Sequence, residues 1–246
     1  MPEAVLSIDG VVAGYGGGDV LKGVTFDVPA GGVTCIVGPN GSGKSTLLKA
    51  VSGLVRPRLG SITFQGENLV GRSPRQILER GIVQVPQNHS LFREMTVRQN
   101  VELGAYLVRD KRVIAERYER VAAAFPIVSE RAGDKAGALS GGQQRLVEFA
   151  RCLMLDPTLV VLDEPSMGLD PKTLRQMFQT VRRMNEAGRT ILLVEQNARQ
   201  ALRLADQGVV MENGRVRLQG SGHEVLHHPE IGALYLGGSI EETVTG

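Results

Sequence analysis

The stretch VTCIVGPNGSGKSTLLKAVSGL, residues 33–54, restricts the fold of this chain more than any other. It opens on a short apolar run, the mark of a strand buried on both faces, as in a parallel sheet. GPNGSGKS at 38–45 then fits G-x-x-x-x-G-K-[ST], with a strand-like run before it and a helix-like run after it. Gly38, Gly41 and Gly43 let successive backbone N–H groups turn toward one point, forming an anion nest at a helix N-terminus. Lys44 would place its ammonium between the β- and γ-phosphates of a nucleotide, and the Ser45 hydroxyl would ligate Mg²⁺. A glycine-rich turn with a chance lysine would not also bring both flanking elements.

The rest of the chain reads as an α/β core interrupted by helices. VLSIDGVVAGYGG and VLKGVTFDVPAGG alternate as strands with glycine turns between them. SITFQGENL and RGIVQVPQ are further strands, with PRQILER a short helix between them. From about Met95 to Met154 the period is helical: VRQNVELGAYLVR, RVIAERYERVAAAF and QQRLVEFARCLML place apolar residues at three- and four-residue steps. Strands return at LVVLDE, ILLVEQ and GVVMENGRVRLQG, separated by the helices TLRQMFQTVRRMNEAG and ARQALRLA. With no repeat and no long linker, the expectation is one domain over 1–246, its core at about 1–90 and 155–246 and a helical subdomain at about 91–154.

Charge argues against a nucleic-acid partner. Lys+Arg number 28 against 26 Asp+Glu, and no tract concentrates the cations. Cys35 and Cys152 lie far apart and in no CxxC pair, and Cys35, in an apolar run, reads as a small core residue. MPEAVLSIDG has neither the basic start nor the apolar centre of a signal peptide. Runs such as LVVL fall far short of the ~20 apolar residues that span a bilayer. If the protein works at a membrane, another chain provides the span.

TLVVLDEP at 158–165 ends a strand on Asp163, which can hold Mg²⁺ through its water shell. Glu164 follows at once and could polarise the water that attacks a γ-phosphate. These two sites leave kinases, helicases and transporters open. LSGGQQR at 139–145 narrows the choice. Ser140, Gly141 and Gly142 before the helix QQRLVEFARCLM make a second phosphate-binding helix start, with Ser140 as N-cap. One nucleotide does not need two cradles in one chain, but two copies arranged head to tail would each lend LSGGQ to the other's glycine loop.

In motif order and over nearly its whole length, the sequence resembles the ATP-binding cassette (ABC) ATPases. The resemblance implies a P-loop NTPase (RecA-like) core with an antiparallel β subdomain and a helical insert. It also implies ATP and Mg²⁺ as cofactors. Gly38, Pro39, Asn40, Gly41, Ser42, Gly43, Lys44, Ser45 and Thr46 match the Walker A motif, and Ser140, Gly141, Gly142 and Gln143 match the signature. LVVLDE matches Walker B. Gln87, in VPQN, matches the glutamine that contacts Mg²⁺ and the attacking water. MGLD matches the D-loop, with Asp170 at its acidic position, and Tyr15 lies where an aromatic stacks on adenine.

Within the family, AGYGGGDVLKGV, VPQNHSLFREMTVRQNV, LLVEQN and the terminal EIGALYLGG are most similar to the ATPase subunits of branched-chain amino-acid importers. Such a subunit works on the cytoplasmic face of the inner membrane. It pairs with a second ATPase subunit, identical or related, and with transmembrane permease subunits, one of which sends a short helix to SLFREMTV. A periplasmic solute-binding protein takes part indirectly. The resemblance also explains Gln196 in ILLVEQN: most cassette ATPases carry a switch histidine there, and the branched-chain subset reads Glu-Gln-Asn. Glutamine can donate to a phosphate but cannot take a proton, leaving Glu164 as the candidate base. The signature departs from the usual pattern at Arg145, often glutamine, and Leu146, often basic; both are expected on the outer face of the helix.

Other readings stay open: a urea or amide importer, a lipopolysaccharide exporter, a soluble cassette ATPase without a transport role and a P-loop kinase. His223, His227 and His228 in GHEVLHHPE read as surface histidines.

Overall fold

The computed structural model describes residues 3–229; EIGALYLGG, at 230–238, lies outside them. Along the chain, β1 (Ala4–Tyr15) and β2 (Gly18–Pro29) precede β3 (Val33–Val37) and α1 (Lys44–Val51). Next come β4 (Leu59–Phe64), β5 (Glu67–Asn68), α2 (Pro74–Glu79) and β6 (Ile82–Val85). A helical stretch holds α3 (Val97–Leu103), α4 (Lys111–Ala124), α5 (Pro126–Glu130), a 3-10 turn at Ala136–Ala138 and α6 (Gly141–Leu153). It is followed by β7 (Leu159–Asp163), α7 (Pro171–Glu186), β8 (Thr190–Val194) and α8 (Ala198–Leu204). β9 (Gln207–Glu212), β10 (Arg215–Ser221) and α9 (Gly222–Leu226) close the described part.

The chain divides into two compact units. One takes residues up to 51, 55–70 and from 192 on; the other takes 52–54 and 71–191, so the division passes through β8.

In the first unit an antiparallel sheet runs in the order β2-β1-β4-β5. Its strands alternate as the sequence does: Val24, Phe26 and Val28 of β2 are buried, while Thr25 and Asp27 between them are exposed. The same unit holds strands in the order β10-β9-β3-β8. β3 pairs parallel to β9, from Thr34 opposite Gln207 to Val37 opposite Val210. All five residues of β3 are buried, because both of its faces are covered. β9 and β10 form a hairpin through Asn213 and Gly214, whose φ of 49° and 79° suit the tight two-residue turn that Asn-Gly favours.

The second unit carries the order β8-β7-β6, with β6 parallel to β7 from Ile82 opposite Leu159. Its helices start where side chains can cap them. Ser73, Thr96 and Ser140 each accept from the backbone N–H three residues on, while Gln76, Gln99 and Gln143 reach back to the cap. α7 buries Met177, Val181 and Met184 along one stripe. The helix read over VRQNVELGAYLVR is shorter than its pattern. It ends at Leu103, and single turns continue through Ala105, Tyr106 and Val108. At Gly104 a Cβ would stand 2.0 Å from the Arg151 carbonyl oxygen, so this end of α3 lies directly against α6.

Candidate functional site

In the first unit the glycine loop leaves the carboxyl end of β3, where ligands of open α/β sheets gather. Gly38 has φ 154°, and a Cβ on it would meet the Met211 carbonyl oxygen at 2.1 Å, so only glycine fits. Gly41 and Gly43 have φ of 80° and 103°, in the left-handed region that glycine enters without strain. Pro39 and Asn40 are exposed at the tip of the loop. The Lys44 side chain is buried and its Nζ donates to the carbonyls of Gly38 at 2.8 Å and Pro39 at 3.0 Å, folding the cation under the loop. The loop is braced from outside: Gly214 N–H donates to the Ser42 carbonyl, and the Gly214 carbonyl accepts from Lys22.

Ser42 is 3 % exposed, and its hydroxyl has no hydrogen-bond partner. A buried polar atom left over inside a nest of N–H groups fits an anionic ligand. Ser45, half-buried, and Thr46, buried, follow on the first turn of α1.

Tyr15 ends β1 and is 51 % exposed, and the Lys49 ammonium lies over its ring at 5.5 Å from the centroid. The ring lines a polar cavity of about 450 Å³ with Gly16, Gly17, Arg56 and Arg58. Gln196 is exposed just beyond β8. Its neighbour Glu195 is wholly buried, and burial together with the Glu195 charge pushes the Cys35 thiol well above its ordinary pKa.

In the second unit, Asp163 ends β7 and is 6 % exposed; Glu164 follows at 8 %. Glu164 has φ 43°, a conformation uncommon for any residue but glycine and found at functional sites. Gln87 leaves the end of β6, the neighbour of β7, and its Nε2 donates to Glu164 Oε2 at 2.9 Å. Two residues read separately from the sequence are thus in direct contact.

Ser140 caps α6, as read from LSGGQ: its N–H donates to Gln143 Oε1 at 3.0 Å and its hydroxyl accepts from Gln143 N–H at 3.4 Å. Gly141 is exposed. Gly142 packs on α7, where a Cβ would stand 2.1 Å from Thr173 Cγ2. Asp170 caps α7: it accepts from the N–H groups of Lys172 and Thr173 and from the Thr173 hydroxyl. Those bonds, the hydroxyl's first, hold the Asp170 carboxyl below its ordinary pKa.

Contrary to the expectation from the sequence, Arg145 does not lie on the outer face of its helix; it is 2 % exposed and paired with the buried Glu148 at 2.8 Å. Burial is possible because the two opposite charges face each other, while the Pro86 and Gln87 carbonyls accept from the guanidinium and the Ser90 N–H donates to the carboxylate. Sequence reading also passed over Asn100, which is fully buried and bonded to the Phe92–Thr96 loop. The apolar period of VRQNVELGAYLVR locates that helix, but gives no sign of the buried amide.

A family model described as ABC transporter matches residues 21–167. The chain is 39% identical over 234 residues to the high-affinity branched-chain amino acid transport ATP-binding protein BraG of Pseudomonas aeruginosa, covering 95% of this chain and 100% of that one. A crystal structure of an ATP-binding cassette of an ABC transporter in its ADP conformation superposes with a TM-score of 0.87 at 30% identity, over 96% of this chain and 100% of the other. A dimeric cassette in a post-hydrolysis state, bound to ADP and Pi, gives a TM-score of 0.77 at 26% identity, over 88% and 98%. The strand orders, the glycine loop and the α/β fold agree with this likeness. The chain belongs to the ATP-binding subunits of the ABC transporter family.

Proposed function

We propose that the chain hydrolyses ATP to drive import of branched-chain amino acids, or a closely related small solute, through separate permease subunits. The observation that carries the catalytic part is Glu164, held buried at a left-handed φ with its carboxylate bonded to Gln87. The solute class rests on the full-length likeness to BraG.

In this reading Gly38 to Thr46 hold the phosphates, with Lys44 as the cation, and Tyr15 stacks on adenine beside its polar cavity. Ser45, Asp163 and Gln87 hold Mg²⁺. The set suits that ion, because hydroxyl, carboxylate and amide oxygens are the hard ligands it prefers. Gln87 meets Glu164 through its amide nitrogen, so its oxygen is the atom to face a cation. When bound, Mg²⁺ neutralises charge on the phosphates. Glu164 accepts a proton from the attacking water, and Gln87 keeps its carboxylate aimed. Gln196 donates to the γ-phosphate from the switch position. Ser140, Gly141, Gly142, Gln143 and Asp170 serve the nucleotide of a second ATPase subunit, identical or related, closed head to tail on this one.

Membrane attachment depends on partners, because no helix among the described residues is long and apolar enough to cross a bilayer. A groove of about 380 Å³ in the second unit, lined by Val83, Val85, Phe92, Leu103 and Tyr106, supports docking of a short permease helix. Phe92 and Tyr106 are 58 % and 61 % exposed there, more than a closed core would leave them. The subunit then sits on the cytoplasmic face of the inner membrane, served indirectly by a periplasmic solute-binding protein.

Two assays test the proposal. Glu164→Gln should keep ATP binding while turnover falls by on the order of 10²–10⁴, the usual worth of a positioned base; wild-type turnover refutes the assignment. Proteoliposomes holding the co-purified permease should take up leucine in an ATP-dependent way, and uptake of urea with none of leucine refutes the solute class.

A further inference from the structure

Three side chains of α6 grip one short backbone segment, and none has a role in the chemistry above. The Arg145 guanidinium donates to the carbonyls of Pro86 at 2.9 Å and Gln87 at 2.6 Å, while its Nη1 lies 2.8 Å from Glu148 Oε2. Glu148 accepts in turn from the Ser90 N–H and, at 3.2 Å, from the Ser90 hydroxyl. His89 Nδ1 stands 3.5 Å from the same carboxylate. Arg151, nearly two turns along, donates to the Ser90 carbonyl at 2.9 Å and to its hydroxyl.

Both Arg145 and Glu148 are almost fully buried. A buried guanidinium held beside a buried carboxylate cannot release its carbonyls without leaving charged N–H donors unbonded away from water. The backbone of residues 86–90 is therefore tied to α6. One end of that segment carries the Gln87 side chain, whose Nε2 lies 2.9 Å from Glu164 Oε2. The other end of the tie is the helix that Ser140 starts.

We propose that Arg145 and Glu148 form a positioning clamp, which makes the placement of Gln87 on Glu164 follow the placement of the signature helix. The clamp rests on the reading of Glu164 as the base. Neither residue touches nucleotide; both act through Gln87. Arg145 is a charged fork that holds two successive carbonyls.

The test is a double-mutant cycle on the full chain. Arg145→Met/Glu148→Leu removes both charges together, a change that buried pairs often tolerate without loss of fold. Its kcat for ATP should fall roughly tenfold with KM within about twofold of wild type, the split expected of a residue acting on the reacting geometry. In a Gln87→Ala background the same change should lower kcat by less than about twofold, because the connection to Glu164 is already cut. An unchanged kcat, or an equal fall in both backgrounds, overturns the clamp. Should the double variant not fold, Arg145→Lys carries the same comparison: it keeps a charge opposite Glu148 but cannot fork to both carbonyls. Glu164→Gln, run alongside, separates the two claims. Wild-type turnover there sinks the base assignment, whereas slow turnover there with a fully active clamp variant sinks only the clamp.

Discussion

Replacing Asn100 should loosen the loop that presents Phe92. Asn100 Oδ1 accepts from the Phe92 N–H at 2.9 Å, and Nδ2 donates to the Phe92 and Thr96 carbonyls, each at 3.0 Å. One fully buried amide thus closes the loop like a peptide group set crosswise. Asn100→Ala removes both bonds to the Phe92 peptide, about 1 kcal/mol each net, and leaves partly buried polar groups unpaired, for about 2–4 kcal/mol in all. In a chain of this size each kcal/mol moves Tm by about 2–4 °C, so the fall should be on the order of 10 °C. Asn100→Asp keeps the acceptor for Phe92 N–H but turns an oxygen toward two carbonyls, and should do no better. Scanning calorimetry reads the fall, and hydrogen exchange at the Phe92 amide reads its place. A Tm within about 2 °C of wild type, with that amide still protected, would refute the reasoning.

Gly142→Ala should destabilise by about 1–3 kcal/mol through overpacking against Thr173 Cγ2. Adding Thr173→Ser should restore stability, because it removes that methyl and keeps the hydroxyl bonded to Asp170; urea titration of both variants checks it. Asp170 has a depressed folded pKa, so its capping is fully present above the unfolded value near ~3.9 and is lost as pH falls through the lower folded value. The Tm difference between wild type and Asp170→Ala should therefore be constant near neutral pH and shrink below about pH 4; a difference that does not change with pH would contradict it. Gln196→Ala should lower turnover by on the order of 10²–10³, as loss of a donor to developing charge does elsewhere. Gln196→His should retain activity, and equal rates for all three proteins would leave Gln196 a mere strand end.

The parts of this molecule that were legible in the sequence are those where local chemistry forces the answer. The apolar runs at β3, β7 and β8 could only be doubly covered strands, and all their residues are buried. The glycines of the loop announced backbone angles that other residues resist, and Ser140 announced a helix start. Residues whose meaning depends on a distant partner were not legible. The sequence puts Arg145 on an outer face, as a departure from the usual signature pattern that leaves the phosphate contacts alone. Its carbonyl partners at Pro86 and Gln87 lie in another element, and nothing in QQRLVE marks the face that meets them. The contact between Gln87 and Glu164 needs β6 beside β7, a pairing that neither strand's own residues specify. The division into two units through β8 has no mark in the uniform ILLV run.

If the glycine loop holds the nucleotide as proposed, its brace by Gly214 makes affinity partly a property of a hairpin far along the chain. A side chain at Gly214 would put its Cβ 1.9 Å from the Val20 carbonyl oxygen, in a turn whose φ already excludes most residues. To relieve that clash the turn must withdraw, taking with it the N–H that holds the Ser42 carbonyl. The loop would then have to be ordered by its ligand, and the lost pre-organisation would appear as weaker binding of every nucleotide alike, with no phosphate contact altered. Inheritance of the proposed site would therefore include a two-residue turn outside the glycine loop itself. A sequence that kept GPNGSGKS but lost Asn213-Gly214 would keep the cradle's pattern without its stiffness.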